Sequence, residues 1–194
     1  MTGAARVVEA SLRHFACAYE RYEEAPFRLG EIVAVREGTS TVLGVVADAS
    51  SGPEDPSRPL QAGGEPGQTA AAVMEDEPGL RLLLRTRVTV VCCGHIEGEV
   101  LRVALPPNPP PLLGLVEPAT AAETVRAAEG GAFLTLLAAS PLCDDSVIAA
   151  AIRCAGRAFD GRADDFVVAA GKELARLLRA DPSRLTSILR EVAR

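Results

Sequence analysis

The residues of this chain with the greatest chemical potential are two adjacent thiols, Cys92 and Cys93, which a single glycine separates from His95. A thiol pair beside an imidazole can bind a metal ion, exchange disulfides or attack a substrate. A structural zinc would need two further ligands, and the other histidine and cysteines show no C-x-x-C or H-x-x-x-H spacing. These residues are His14, Cys17, Cys143 and Cys154. The sequence therefore predicts no metal site and no cofactor.

The element that carries the two thiols decides what they can do. The run "RVTVVCC" is rich in β-branched residues and predicts a strand over Thr86–Cys93 that ends in a turn at Gly94. Alternation along a strand sends Cys92 and Cys93 to opposite faces, so they cannot ligate one ion together. We interpret both as buried strand thiols. The alternative is a redox sensor or an enzyme that uses one of them, which requires an exposed thiol of lowered pKa.

Two other groups are candidates for an interface. The arginines Arg81, Arg85 and Arg87 precede the thiol strand and could contact an acidic partner or a phosphate, or could form a solvated strand edge. The run "PPNPPP", which begins with Pro106 and Pro107, could bind an aromatic groove of a partner, or could cross the surface as a stiff connector. We therefore take these five residues as candidate interface positions.

Composition narrows the classes of function. The chain has 194 residues and a net charge of −6, and residues 51 to 80 contain one arginine against six acids. No strongly basic face is available for a run of phosphates, so direct nucleic-acid binding is not expected. Five cysteines, an odd number in a chain of this length, predict reduced thiols. No long apolar run or signal segment is present, and we expect a soluble, cytoplasmic protein.

Hydrophobic periodicity divides the chain into a β half over residues 1–117 and an α half over 118–194. In the β half, alternation predicts strands over residues 6–10 and 15–22, a hairpin of Ile32–Val35 and Thr41–Val46 around Gly38, and short strands in "EVLRVAL" and "LLGLVEP". A flexible, acidic, Gly/Pro-rich insertion is predicted over about 50–68, followed by a helix over Thr69–Glu77.

The α half predicts about four short helices. One lies in "GGAFLTLLAAS", and a second follows the capping acids Asp144 and Asp145 and ends at Asp160. A third begins near Asp164, and a fourth opens at Asp181, where proline follows in the first helical position. These helices should form a compact bundle. The predicted fold class is therefore α+β.

The β half resembles a known family. The stretch "FRLGEIVAVREGTSTVLGVVADA", followed later by "PGLRLLLRTRVTVVCCGHIEGE" and "LPPNPPPLLGLVEPATAAE", is similar to the HAS-barrel, the small β-barrel of HerA-type DNA translocases and ATP synthase subunits. The resemblance covers roughly residues 5 to 120. It implies a small N-terminal antiparallel β-barrel followed by the helical bundle, and a barrel that docks on a partner or on copies of itself.

The chain departs from the translocase pattern in lacking a P-loop. The nearest string, "FVVAAGKE", has Phe166 in place of the first glycine and Glu173 in place of the magnesium-binding hydroxyl, and it lies in a predicted helix. We therefore expect a stand-alone barrel that does not hydrolyse ATP. We favour a non-catalytic protein–protein interaction or assembly module, and we expect it to be an accessory to a HerA-type ATPase or nuclease system in DNA processing, with a ring-shaped ATPase as its partner. The alternatives are the cysteine-based sensor or enzyme, and a small-barrel adaptor in ribosome or RNA assembly.

Overall fold

The fold is taken from a computed structural model, which describes residues 4–22, 26–55, 57–61 and 63–193. The strands are β1 (Ala5–Ala10), β2 (His14–Tyr19), β3 (Ile32–Glu37), β4 (Ser40–Pro53), β5 (Leu84–Glu97), β6 (Val100–Arg102) and β7 (Leu115–Pro118). The helices are α1 (Ala70–Asp76), α2 (Leu80–Leu83), α3 (Ala121–Ala128), α4 (Leu134–Ala138), α5 (Asp145–Gly156), α6 (Ala163–Leu177) and α7 (Pro182–Val192), with a 3₁₀ turn (Glu129–Gly131) before α4.

Six of the strands form a closed antiparallel barrel. Their order is β2-β1-β7-β3-β4-β5, and pairing of β2 with β5 closes the ring. The short strand β6 adds to the edge of β5 through a hairpin. The fold is therefore a mixed α+β structure with a six-stranded β-barrel, which confirms the predicted class and the expected antiparallel barrel.

Side chains fill the interior of the barrel. Every barrel strand contributes inward residues, most of them valine, because branched side chains pack well on a pleated surface. Phe15 and Tyr19 are the largest members of this inner cluster, which the structure completes with Ala5, Val7, Cys17, Val33, Val35, Val42, Val46, Val88, Val90, Cys92 and Val116. The barrel is thus a packed core.

A second apolar cluster lies outside the barrel, beneath the helices. Outward residues of β3, β4 and β5, such as Ala34, Leu43 and Cys93, pack with the buried faces of α3 to α7. Ile148 and Ile152 of α5 are fully buried there. The helices therefore cover one side of the barrel, and we call this the covered side.

Glycine at position 30 allows the barrel and the helices to meet closely. Gly30 has a φ of +80°, and a Cβ built on it would lie 2.3 Å from the backbone carbon of Ala150 in α5. A side chain would overlap that backbone. Gly30 also joins the chain to β4, because its N–H donates to the carbonyl of Val46 at 2.9 Å.

The strands β4 and β5 extend beyond the barrel as a two-stranded arm. The sequence predicted that β4 ends at Val46, but the strand continues to Pro53. Its last four residues belong to the segment that was predicted to be an irregular insertion, and they pair with Leu84–Arg87. A bulge at Ala47 precedes this extension. The Gly/Pro composition predicted an end to the strand too early, because Gly52 and Pro53 are tolerated at the end of an edge strand.

The predicted turn at Gly94 is wrong. Strand β5 runs through Gly94 and His95 to Glu97, and the turn falls at Gly98, whose φ is +60°. The pairing register shifts at this point, because Leu43 pairs with Gly94 and Gly44 with Cys92. The glycine therefore accommodates a bulge in a continuing strand.

The predicted caps at Asp144 and Asp181 are confirmed, because each accepts a hydrogen bond from the first turn of α5 and α7 respectively. Thr69, which was predicted as the first residue of a helix, is the cap of α1 and accepts from Ala72. The prediction of four helices after residue 118 was too low by one, because α3 was missed. Its start carries a complete capping box, in which Thr120 and Glu123 bond each other's backbone N–H.

Candidate interaction site

The two thiols at the centre of the sequence analysis are separated by the wall of the barrel. Cys92 belongs to the inner cluster, and Cys93 belongs to the cluster beneath the helices. They point to opposite faces of β5, as alternation predicted. Both side chains are almost inaccessible, with exposed fractions of 1% and 0%.

Burial also determines the acidity of these thiols. Desolvation raises the pKa of Cys92 to about 12 and raises the pKa of Cys93 further, and the proximity of Cys92 and Cys143 adds to the rise at Cys93. A reactive thiol needs the opposite environment, with partial exposure and nearby positive charge. The geometry therefore favours two packed thiols over a nucleophile.

His95 shares this buried setting. Its Nδ1 lies 3.2 Å from the carbonyl oxygen of Ala104, an acceptor that requires the nitrogen to donate. Across the described ranges, no three His, Cys, Asp or Glu side chains group in a way that could hold a metal ion. His95 instead fastens the chain that follows β6 to strand β5.

The three candidate arginines are distributed along the arm, from α2 at its far end to Arg87, where β5 enters the barrel. Arg81 is in α2, and Arg85 and Arg87 point outward from β5. Arg85 pairs with Glu54 at 3.1 Å, and Arg87 pairs with Glu9 at 2.5 Å. Pairing with acids of the same chain fits a solvated strand edge. Recognition of a partner by these arginines remains a prediction.

The two candidate prolines differ in exposure. Pro106 is buried and Pro107 is exposed, in an irregular connector over residues 103–114 that passes one end of the barrel. Five of its residues, 107 to 111, border a shallow cavity of about 350 Å³ whose other walls include Val35, Val42 and Glu97. The connector lies across the barrel end, as a stiff crossing would.

The structure reveals an exposed apolar surface that was not predicted. We call it the open face, and it consists of Arg6, Val8, Leu112, Leu113 and Leu115. Val8 and Leu115 point outward from β1 and β7, with 44% and 39% of their surfaces exposed. Leu112 and Leu113 are more exposed still, at 64% and 67%. Clustered apolar residues at such exposure mark interaction sites.

The two leucines lie at the tip of a fixed turn. The N–H of Gly114 donates to the carbonyl of Pro111 at 3.1 Å, which leaves Leu112 and Leu113 at the two corners. Leu113 has a φ of +65°, a conformation that glycine or asparagine normally supplies. The N–H of Leu113 also donates to the carbonyl of Val7 at 2.8 Å. The turn is therefore held on β1 in a strained form that displays both leucines.

A cleft opens beside this face, between the barrel and α5. It has a volume of about 1140 Å³, and we call it the arginine cleft. Its apolar wall contains Tyr19, Phe27 and Leu29, with the two aromatic rings 5.7 Å apart. Arg28, in the segment before β3, and Arg157, at the end of α5, add positive charge, and the lining also contains Glu31 and Glu117. Apolar walls with a few charged groups are typical of ligand sites.

A comparison with models of known protein families and with curated protein sequences finds no match to the chain. None of the helices in the described ranges has the length and unbroken apolar character that a bilayer span requires. We therefore infer the function from the exposed surfaces of the molecule.

The two arginines of the cleft are not paired with its acids. The guanidinium groups of Arg28 and Arg157 form no hydrogen bond or ion pair with another side chain in the part of the chain that is described. Of the two acids in the lining, Glu117 is paired with Arg36 at 3.0 Å, whereas Glu31 accepts only the uncharged backbone N–H of Arg28 at 2.9 Å and keeps its negative charge. The lining therefore holds two unpaired guanidinium groups beside one carboxylate that no side chain of the described residues neutralises.

The cleft also contains the most accessible thiol of the described residues. Cys154 is half-buried, and its Sγ donates to the carbonyl of Leu29 at 3.6 Å. Burial raises the pKa of Cys154, and the nearby Arg157, Arg153 and Arg28 offset only part of that rise. The thiol is therefore mainly protonated, and we assign it no chemical role.

Sequence reasoning missed both surfaces for different reasons. The open face had a signal, since "PPLLG" puts a leucine in the turn position before Gly114 where glycine is preferred. The arginine cleft had none, because Arg28 and Arg157 are far apart in the sequence and meet only when α5 packs beside β3. Their types alone gave no reason to join them.

Proposed function

We propose that this chain is a non-catalytic protein–protein interaction module that docks through its open face. The observation that carries the proposal is the pair of leucines, Leu112 and Leu113, displayed on a strained turn. An exposed leucine pair is costly in water, and a strained backbone adds to the cost. Such a feature is consistent with a partner that buries it.

The rest of the molecule supports a binding role over catalysis. The barrel interior is packed with side chains, the two central thiols have raised pKa values, and the sequence contains no P-loop. The resemblance to the HAS-barrel suggests which partner to test first. We propose a ring-shaped ATPase of the HerA type, or its associated nuclease, so that the chain would act as an accessory in DNA processing.

The proposal can be tested by affinity capture of the tagged full chain from the cells that express it. We expect a P-loop ATPase or a nuclease among the captured proteins. The double variant Leu112→Ser with Leu113→Asn should reduce that capture at least about tenfold, because apolar anchors dominate interface energies. Asparagine at position 113 keeps a residue that tolerates positive φ.

The matched control is another adjacent pair of exposed leucines. Leu82 and Leu83 in α2 are 56% and 58% exposed, so the double variant Leu82→Ser with Leu83→Ser removes a similar apolar area elsewhere. We expect it to capture the partner normally. Equal capture by both double variants, or the absence of any ATPase or nuclease, would contradict the proposal.

A further inference from the structure

The arginine cleft and the acidic segment of the arm lie at the same end of the barrel. At this end Ala5 pairs with Tyr19, and the neighbouring Ala18 pairs with Arg87, where β5 enters the barrel from the arm. Tyr19 also lines the cleft. The arm therefore extends from the end of the barrel at which the cleft opens.

The arm carries an unneutralised acidic group. Three acids lie in sequence at the end of α1. Glu75 and Asp76 are in its last turn, and Glu77 follows the helix directly. Glu75 and Glu77 are exposed and make no ion pair within the described residues. Asp76 accepts a hydrogen bond from Gln68 at 2.5 Å. Negative charge also collects at the C-terminal end of a helix through its dipole.

Apolar residues accompany these acids. Val73 and Met74 of α1 are half-buried, and no residue of α1 is fully buried. The cleft offers the complementary arrangement, with Phe27 and Leu29 beside Arg28. Each surface thus has apolar residues beside charged groups. The charged groups on the arm are acids, and Arg28 and Arg157 in the cleft are basic. Charge complementarity of this kind sets the register of an interface.

We propose that α1 of one copy binds in the arginine cleft of a second copy. Because the donor surface and the acceptor surface share one end of the barrel, two copies that meet end to end make the contact twice. Such a reciprocal, two-fold contact is the commonest form of homo-oligomer. The arm provides the reach, because Ser51–Pro53 pair with Leu84–Thr86 beyond the last barrel pair and span about 10 Å, with α1 and α2 attached at the far end. The cleft shares Leu115 with the open face but includes neither Leu112 nor Leu113, which carry the proposed function, so either proposal can fail alone.

Sedimentation velocity of the purified full chain tests the dimer. We expect a concentration-dependent dimer at about 50 mM salt, and a dissociation constant at least about tenfold weaker at about 500 mM salt, because exposed charges are screened. A chain that is monomeric at every concentration, or a dimer whose affinity ignores salt, would overturn the proposal.

Charge exchange then identifies the surfaces. The cleft variant Arg28→Glu with Arg157→Glu, and the arm variant Glu75→Arg with Glu77→Arg, should each weaken self-association at least about tenfold. An equimolar mixture of the two should restore the dimer, because both of its contacts are again complementary. Circular dichroism melting verifies that each variant is folded.

A matched variant controls for net charge. Arg179 and Arg190 are exposed arginines on the helical side, with no ion pair among the described side chains. Arg179→Glu with Arg190→Glu changes the net charge as the cleft variant does, and we expect it to leave the dimer intact. The proposal is overturned if this control weakens the dimer equally, or if the mixture fails to restore it.

Discussion

The covered side and the open face are two outer surfaces of one barrel, built on the same alternation of strand residues. On β3, β4 and β5 the outward side chains are apolar and pack beneath helices. On β1 and β7 the outward Val8 and Leu115 are also apolar, yet they remain exposed. The difference teaches that the pattern of a strand specifies which residues can be buried, whereas the rest of the chain determines which of them are buried.

The thiols should show the largest contrast. Cys93 lies on the covered side with no accessible surface, so alkylation in the folded protein must wait for an opening of the structure. We expect iodoacetamide to modify Cys93 at least about 10³-fold more slowly than in the denatured chain, as measured by mass spectrometry. Cys154, which is half-buried, is the internal comparison and should react first. Fast modification of Cys92 or Cys93 would favour the redox alternative.

The covered side and the open face can be compared by truncating one side chain on each and measuring the change in the free energy of unfolding. Ile148 is fully buried beneath the helices, and Ile148→Ala should lower the free energy of unfolding by about 2–5 kcal/mol through lost burial and a cavity. Val8→Ala on the open face should change it by less than about 0.5 kcal/mol. Urea denaturation measures both. A loss of more than about 2 kcal/mol at Val8 would mean that the open face is already packed.

Ion pairs stabilise the border between the covered side and the open face. Arg36 of β3 contacts Glu117 of β7 at 3.0 Å and Glu123 of α3 at 2.6 Å. Burial raises the pKa of Glu123, but hydrogen bonds from Thr120 and Arg36 outweigh it, so the pKa lies below its ordinary value of 4.5. A lowered folded-state pKa contributes stability that is complete above the unfolded value and is lost as the pH falls through the folded value.

The variant Glu123→Gln should therefore lower the free energy of unfolding by about 1 kcal/mol at neutral pH. The difference from the unmodified chain should shrink below pH 4.5 and vanish once the carboxyl is protonated. Thermal unfolding at several pH values measures this. The exposed Glu129, which makes no ion pair in the described part of the chain, provides the control variant Glu129→Gln. A difference that persists unchanged in acid would refute the assignment.

The smallest effect should have the opposite sign. Leu113→Gly removes an exposed side chain and relieves its positive φ, so we expect a gain in unfolding free energy of about 0.5–1 kcal/mol. Gly38→Ala places a side chain in a comparable conformation, with a φ of +57° and open space around it, and should lose stability by a similar amount. A stabilised variant that also loses its partner would separate docking from folding.

The sequence predicted the parts of this fold that depend on local pattern. Alternation located the strands and the opposite faces of Cys92 and Cys93, and the caps at Asp144 and Asp181 located two helices. It failed where pairing partners decide the outcome. Gly94 continues a strand because Leu43 and Gly44 pair across a bulge, which no local property of the glycine reveals.

The surfaces were harder to predict for a related reason. The arginine cleft depends on the approach of α5 to the chain at Gly30, an approach set by the backbone of Ala150 and not by a motif. The open face depends on the helices packing elsewhere. A local pattern contains neither fact, because both result from contacts between residues distant in the chain.

The closure of the barrel has a consequence for the order of events during synthesis. Strand β1 leaves the ribosome before the other barrel strands, yet Ala5 pairs with Val116 of β7, which is among the last barrel residues to be made. Strands β4 and β5 pair over their whole length well before that. The edge of β1 that pairs with β7 therefore stays unpaired while most of the barrel is translated. An unpaired strand edge is a site of aggregation, so we expect the nascent chain to be vulnerable at this stage.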